Sequence, residues 1–272
     1  MIIREIEAHS LLTKTMVPAA DFAINPYVGC PHKCIFCYAE YMRRFTNHLN
    51  DEWGHFLDVK RYHKKLPLKR LVGKRILFST VTDPYNHYED KYCLMRGLLE
   101  QFIDTDLTVI ILTRSNLVLR DLDLLKKLRS ARVCISLGTL NDALRKRIEP
   151  GVTSVRQRLL TLKTLHEAGI PVQVYVSPIF PGIGDFKEVV AACRPYTNTF
   201  LFENLTLRGP VRVTVMRFIV QYYPQLISLY EDIYKRENFT YWDALEEDIN
   251  EYCAASGIEF STHFYHEKVS ML

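Results

Sequence analysis

Short apolar runs recur along the chain at 76–78, 107–112, 133–137, 172–176 and 200–202, each followed by a stretch of helical periodicity. The runs are nearly continuous in apolar residues and rich in β-branched ones, which is how parallel strands covered on both faces read. The connecting helices carry recognisable ends: Ser154 with Gln157 forms a capping-box pattern, Leu159 and Leu162 continue an apolar stripe, and Gly169 before Pro171 supplies the stop. Strand–helix–strand units of this kind are right-handed crossovers. With a first strand before Cys30 the count reaches about six, and the expected fold is α/β, a partial (β/α)6 barrel of the TIM type. Ligands in such folds sit at the C-terminal ends of the strands.

The flanking segments read differently. Ile2 and Ile3 start a short strand, 38–45 has helical character, and 47–51 is a polar turn. Beyond Arg212 the pattern is helical, over 213–223, 225–236 and 241–255, with a late run at 258–264 that suits an edge strand. Trp242, Leu245, Ile249 and Cys253 share one face of the last helix and read as core packing. No repeat, low-complexity segment or Pro/Gly/Ser linker interrupts the chain. The expectation is one domain over 1–272: a lead-in at 1–24, a barrel core at 25–209 and a helical C-terminal extension at 210–272.

Composition narrows the class. An apolar content of 48% supplies a full core. The N-terminus has no apolar signal region and the longest apolar runs are about seven residues, so a soluble, cytoplasmic protein without a membrane span is expected. Seven cysteines, three clustered and four scattered (Cys93, Cys134, Cys193, Cys253), do not form a disulfide framework and suit a reducing compartment. The net charge of +4 does not by itself imply a nucleic-acid binder. Residues 60–75 hold Lys60, Arg61, Lys64, Lys65, Lys69, Arg70, Lys74 and Arg75 without an acidic residue, a stripe that could meet phosphates or simply be a solvated loop leading into a strand.

The chemistry concentrates at 25–38, Asn-Pro-Tyr-Val-Gly-Cys-Pro-His-Lys-Cys-Ile-Phe-Cys-Tyr. Cys30, Cys34 and Cys37 can converge from one loop on an inorganic centre, and thiolates select zinc or iron–sulfur clusters. A closed zinc site wants four protein ligands, no fourth cysteine is near, and His32 is wedged between two cysteines. Three ligands on a four-iron cluster would leave one iron open. A structural zinc knuckle is the alternative.

Cys-x3-Cys-x-aromatic-Cys resembles the signature of the radical S-adenosylmethionine (SAM) enzymes. The flanking Asn-Pro-Tyr-x-Gly-Cys resembles the branch that includes the spore photoproduct lyases, and up to about Arg208 the chain is most similar to the radical SAM mobile pair proteins. The resemblance implies a partial barrel with a 4Fe–4S cluster on Cys30, Cys34 and Cys37, and SAM bound with help from Phe36 and Tyr38. It also implies reductive cleavage of SAM to a 5′-deoxyadenosyl radical, with an electron donor of the flavodoxin or ferredoxin type. A second radical SAM protein acting alongside is implied by the mobile pair likeness.

The strand ends offer the remaining candidates. Thr80, Thr82 and Asp83 lie where the resembled family holds the methionine part of SAM, although Asp83-Pro84 is also a common turn. Arg114 can pair with a carboxylate, and the lyases carry lysine there. Ser136 resembles a family serine that contacts SAM. Glu149-Pro150-Gly151 with Arg158 also resembles the family, as a structural Glu149–Arg158 pair that could hold the loop after the fourth strand, and 177–182 reads as a rim stiffened by prolines. Tyr85, Asn86, Glu203, Asn204 and Arg208 are candidates to face a substrate. The lyases donate a hydrogen atom from a cysteine where this chain has Thr80; Cys134 on the neighbouring strand is a weak substitute. The substrate reads as a nucleobase or nucleic acid, or alternatively a small molecule or a peptide. The rival from another class is a non-catalytic metal-binding regulator.

Overall fold

A computed structural model of the chain describes residues 1–78 and 80–264. The late part of the expected C-terminal extension, 265–272, lies outside the described residues, as does Ser79.

The strands are β1 (Ile2–Glu7), β2 (Leu12–Lys14), β3 (Phe22–Ile24), β4 (Tyr27–Val28), β5 (Phe56–Arg61), β6 (Arg75–Phe78), β7 (Thr108–Thr113), β8 (Ser130–Ser136), β9 (Val172–Ile179), β10 (Thr199–Asn204) and β11 (Glu259–His263). Eight of them form one sheet in the order β11-β10-β9-β8-β7-β6-β3-β2. From β3 through β11 every pairing is parallel, and only β2 runs antiparallel, on β3. Sequential strands are spatial neighbours, and β2 and β11 are the two edges, so the sheet is a barrel left open. The six expected strands are present. The first, β3, falls just inside the lead-in, and the late apolar run becomes a seventh parallel strand.

Nine α-helices connect or follow the strands among the described residues: α1 (Glu89–Tyr92), α2 (Leu94–Phe102), α3 (Leu122–Leu125), α4 (Asp142–Ile148), α5 (Val155–Glu167), α6 (Phe186–Cys193), α7 (Gly209–Tyr222), α8 (Ile227–Lys235) and α9 (Thr240–Ala255). α5 starts as its sequence suggests: Ser154 Oγ accepts from Gln157 N and in turn donates to Gln157 Oε1 at 3.0 Å. Alternate strand residues such as Ile76, Phe78, Val109, Ile111, Val133 and Ile135 pack outward in the main core under the helices. Leu77 and Ile110, on the opposite face, form a small inner cluster with Leu112. A second core joins Phe36 of the cysteine loop to Val211, Val215, Phe218 and Trp242, so the C-terminal helices form the wall behind that loop.

A separate three-stranded sheet, β1-β5-β4, was not anticipated. β5 occupies 56–61, part of it inside the basic stripe. Arg61 pairs with Glu5 on β1 at 2.7 Å and Arg75 with Asp21 at 3.5 Å, so acidic residues remote in sequence neutralise two of the stripe's cations. The rest of the stripe precedes the N-terminal end of β6, opposite to the strand ends that carry the cysteine loop.

Candidate functional site at the C-terminal ends of the strands

The cysteine loop leaves β4 through Gly29. This residue has φ +83°, and a Cβ on it would meet Phe56 O of β5 at 2.5 Å, so only glycine lets the loop pass. The loop then docks on the end of α4: Ile35 N donates to Ile148 O and Gly151 N to His32 O, both at 2.9 Å. A Cβ on Gly151 would sit 2.6 Å from Pro31 O, so this approach is as tight as the first.

None of the seven cysteines is in a disulfide. Cys30 is buried; Cys34 and Cys37 are half-buried on the same loop. Burial pushes the Cys34 thiol well above its usual range, and pushes Cys37 up against the opposing hydrogen bonds from Ala39 N–H and the Trp53 indole. Among the described residues no three His, Cys, Asp or Glu side chains gather closely enough for a single metal ion. His32 is buried, with Nδ1 3.5 Å from Asp83 Oδ2. Burial opposes its protonation, but Cys30 and Asp83 outweigh this and leave its pKa raised.

Asn25, from the motif itself, clamps the loop after β6. Its Oδ1 accepts from Thr80 N at 2.9 Å and Val81 N at 3.2 Å, and its Nδ2 donates to Thr80 Oγ1 at 2.9 Å. Tyr38 OH donates to Thr80 O. Thr82 Oγ1 donates to Gly29 O at 2.6 Å. Asp83 is engaged on both oxygens: Oδ1 accepts from Tyr85 N (2.9 Å) and Thr113 Oγ1 (2.7 Å), and Oδ2 accepts from Arg114 N (2.8 Å). The three β6-end residues singled out in the sequence are thus brought beside the cysteines, where they bind backbone and neighbouring side chains.

Arg114 is the cation of the site. Its Nε lies 3.2 Å from Glu149 Oε2 without hydrogen-bond alignment, its Nη2 donates to Ser177 O at 3.4 Å, and its guanidinium stands 5.6 Å from the Phe36 ring centre. Burial opposes its charge, but Cys34, Glu149 and Asp83 hold it protonated. The Glu149–Arg158 pair, read as structural, is so: Arg158 is fully buried and donates to Glu149 Oε1 and Ser136 O, each at 2.8 Å. Ser136 Oγ donates to Ser177 O at 3.3 Å.

Cys134 lies on the concave face. Its strand neighbours Val133 and Ile135 pack in the outer core, so alternation turns Cys134 and Ser136 inward, with Leu112 as its partner on β7. Burial pushes its thiol up to about 12. On β10, Glu203 accepts from Ser177 Oγ, and Asn204 is buried. Burial raises the Glu203 pKa against the hydrogen bond from Ser177 and the charge of Arg114.

Three substrate candidates sit elsewhere. Tyr85 is fully buried in the outer core with its OH on Asp121 Oδ2 at 3.0 Å. Asn86 is buried in a turn, donating to Asp83 O at 3.0 Å. Both were placed at the rim because they follow a strand end; the chain there turns inward after Pro84 instead. Arg208 is exposed as the cap residue before α7. Of the scattered cysteines, Cys253 is core as expected and Cys193 is core too, whereas Cys93 is exposed between α1 and α2. As site residues Asn25 and Trp53 were missed; Asn25 carried a signal, its place in the cysteine motif, and Trp53 carried none.

The donors present fit a thiolate-bound cluster and an amino-acid carboxylate: three soft thiols free of disulfides on one loop, and a half-buried guanidinium whose buried Nε has no aligned acceptor. The sequence pattern of the Radical SAM superfamily matches residues 24–193. An uncharacterized protein of Methanocaldococcus jannaschii is 34% identical over 223 residues, covering 82% of this chain and 84% of its own length. A radical SAM Nalpha-GlyT isomerase of Pseudomonas phage M6 is 28% identical over 58% of this chain and 31% of its own. Among solved structures, spore photoproduct lyase complexed with dinucleoside spore photoproduct superposes with a TM-score of 0.60 at 19% identity, over 82% of this chain and 66% of the lyase. A third of the lyase therefore has no counterpart here. With the cysteine motif, the open parallel barrel and the matched sequence pattern in agreement, this chain belongs to the radical SAM superfamily, which uses a 4Fe–4S cluster and SAM.

Proposed function

We propose that the protein is a radical SAM enzyme that activates a C–H bond of a nucleobase or nucleic acid at the mouth of the barrel. The observation that carries the reading is the meeting of Cys30, Cys34 and Cys37 with Arg114, Ser136 and Glu203 at one end of the sheet. The bound cluster and SAM would supply one-electron cleavage to a 5′-deoxyadenosyl radical, the hard chemistry that the protein itself lacks. Cys30, Cys34 and Cys37 would hold the cluster. Arg114, fixed by Glu149 and by the Ser177 carbonyl, presents its charge to the SAM carboxylate beside Phe36. Asn25, Thr82 and Asp83 act one step back, shaping the loop that faces the cofactor.

The substrate class is supported by the fold shared with a lyase solved in complex with a dinucleoside spore photoproduct. Thr80 keeps its hydroxyl on Asn25, so the lyase's cysteine-donor route has no counterpart at this position. Cys134, inward on β8, is the thiol left to return a hydrogen atom.

The test is anaerobic reconstitution with iron and sulfide, then dithionite and SAM, with 5′-deoxyadenosine read by chromatography. Product is expected from the wild type and not from Cys34→Ala. A stably bound zinc, no cluster and no response to SAM would overturn the proposal in favour of a metal-binding regulator.

A further inference from the structure

The segment after the third cysteine, Tyr38–Phe45, is a 3-10 helix that leaves large rings uncovered: Tyr38 is 57% exposed, Tyr41 48% and Phe45 71%. Its other side is anchored, with Ala39 and Met42 packed against Trp53 and Phe56. The rings are therefore held outward by a fixed base. Tyr41 and Phe45 meet edge to face at 6.4 Å. Tyr38 feels the charge of Glu203 and neighbours Tyr41, and its OH is tied to Thr80 O. The row thus starts in the mouth of the barrel, beside the cysteine loop, and ends on the outer rim.

A cation of the segment is unspent. Arg44 is exposed and has no acidic partner among the described residues, while the segment's acid, Glu40, stands 3.9 Å from Arg43. Rings in file next to free cations are what stacks bases and meets phosphates in single-stranded nucleic-acid binders. The row runs from the exposed rim to the strand ends that carry Thr80 and Glu203, a path that suits an extended strand laid along the rings. The basic stripe of 64–74 precedes β6 at the far end of the sheet and does not adjoin the reacting centre.

We propose that Tyr41, Phe45 and Arg44 form a stacking ramp for the nucleotides that flank an unpaired base delivered to the barrel past Tyr38. This rests on the nucleic-acid reading above and adds the surface that would select single-stranded or flipped-out substrate.

The test uses cluster-loaded full-length protein and a fluorescein-labelled oligothymidylate of about 12 nucleotides, followed by anisotropy across a salt series. Tyr41→Ala and Phe45→Ala are each expected to weaken binding by about 10-fold, with Tyr41→Phe restoring it. Arg44→Ala should flatten the log–log salt slope by about 0.7, and Lys69→Ala on the far face should leave affinity within about twofold. SAM cleavage without oligonucleotide should be unchanged in Tyr41→Ala. Strand binding indifferent to both ring deletions overturns the ramp. So does no strand binding at all while an acidic flavodoxin- or ferredoxin-type protein binds and loses affinity in Tyr41→Ala. In either case persistent SAM cleavage would leave the radical chemistry standing, whereas loss of that cleavage in the wild type would sink the reading beneath it.

Discussion

At the scale of single residues, the site is held by side chains whose partners lie far off in sequence. Asn25 satisfies two backbone N–H groups and one hydroxyl of the loop after β6, groups that would otherwise be left partly buried and unpaired. Asn25→Ala is expected to cost about 2 kcal/mol in denaturant unfolding, and to weaken SAM binding measured by calorimetry on cluster-loaded protein. Asn25→Asp keeps a side-chain oxygen to accept from both backbone N–H groups and should cost less. Glu203 predicts a pH dependence. Burial raises its pKa in the folded chain above the ordinary 4.5. Its protonated form therefore favours folding, a contribution complete below about 4.5 and lost as pH rises through the folded-state pKa. Stability curves of wild type and Glu203→Gln should diverge in that window, the variant gaining relative to wild type as pH rises. Parallel curves would show that Glu203 meets more solvent than its place on β10 implies.

At the scale of elements, hydrophobic pattern and tertiary context divide the work. The barrel strands were legible because they are continuous apolar runs of β-branched residues, and α5 because Ser154 and Gly169 mark its ends. β5 was not, because its run Phe-Leu-Asp-Val-Lys-Arg carries a buried acid and two cations. Asp58 is buried only because His48, itself fully buried, bonds it at 2.9 Å while stacking on Phe56 at 4.0 Å. β5 finds its parallel partner in β1, more than fifty residues earlier, a pairing no local pattern announces. The Arg158–Glu149 pair, by contrast, was named from sequence, and its geometry explains its cost if broken. Arg158→Met leaves Glu149 in the interior with only the misaligned Arg114 Nε beside it, and should destabilise by about 3 kcal/mol, the lower end for a broken buried pair. Urea unfolding reads this directly; a change below about 1 kcal/mol would mean that Glu149 is protonated or rehydrated in the variant.

At the scale of the whole molecule, the C-terminal helices are part of the barrel's structure. They share a core with Phe36 of the cysteine loop and return β11 to the sheet edge on β10. One cooperative unfolding transition is expected, and Trp242→Ala, which empties a fully buried site in that shared core, should shift it by about 3–5 kcal/mol. Two separated transitions would instead divide the chain into barrel and extension. Among the described residues no helix is long and apolar enough to cross a membrane. By itself the sequence determined the class of fold, because strand and helix periodicities are local, and it determined the cysteine chemistry, because three thiols within eight residues share one loop whatever the rest does. The tertiary structure alone decided which polar residues face the site. Asp83 and Tyr85 are separated by one residue, yet one meets the cysteine loop and the other the outer core. That assignment depends on the path of the backbone after β6 and on partners supplied by β3, β7 and β9, which converge only when the sheet curves.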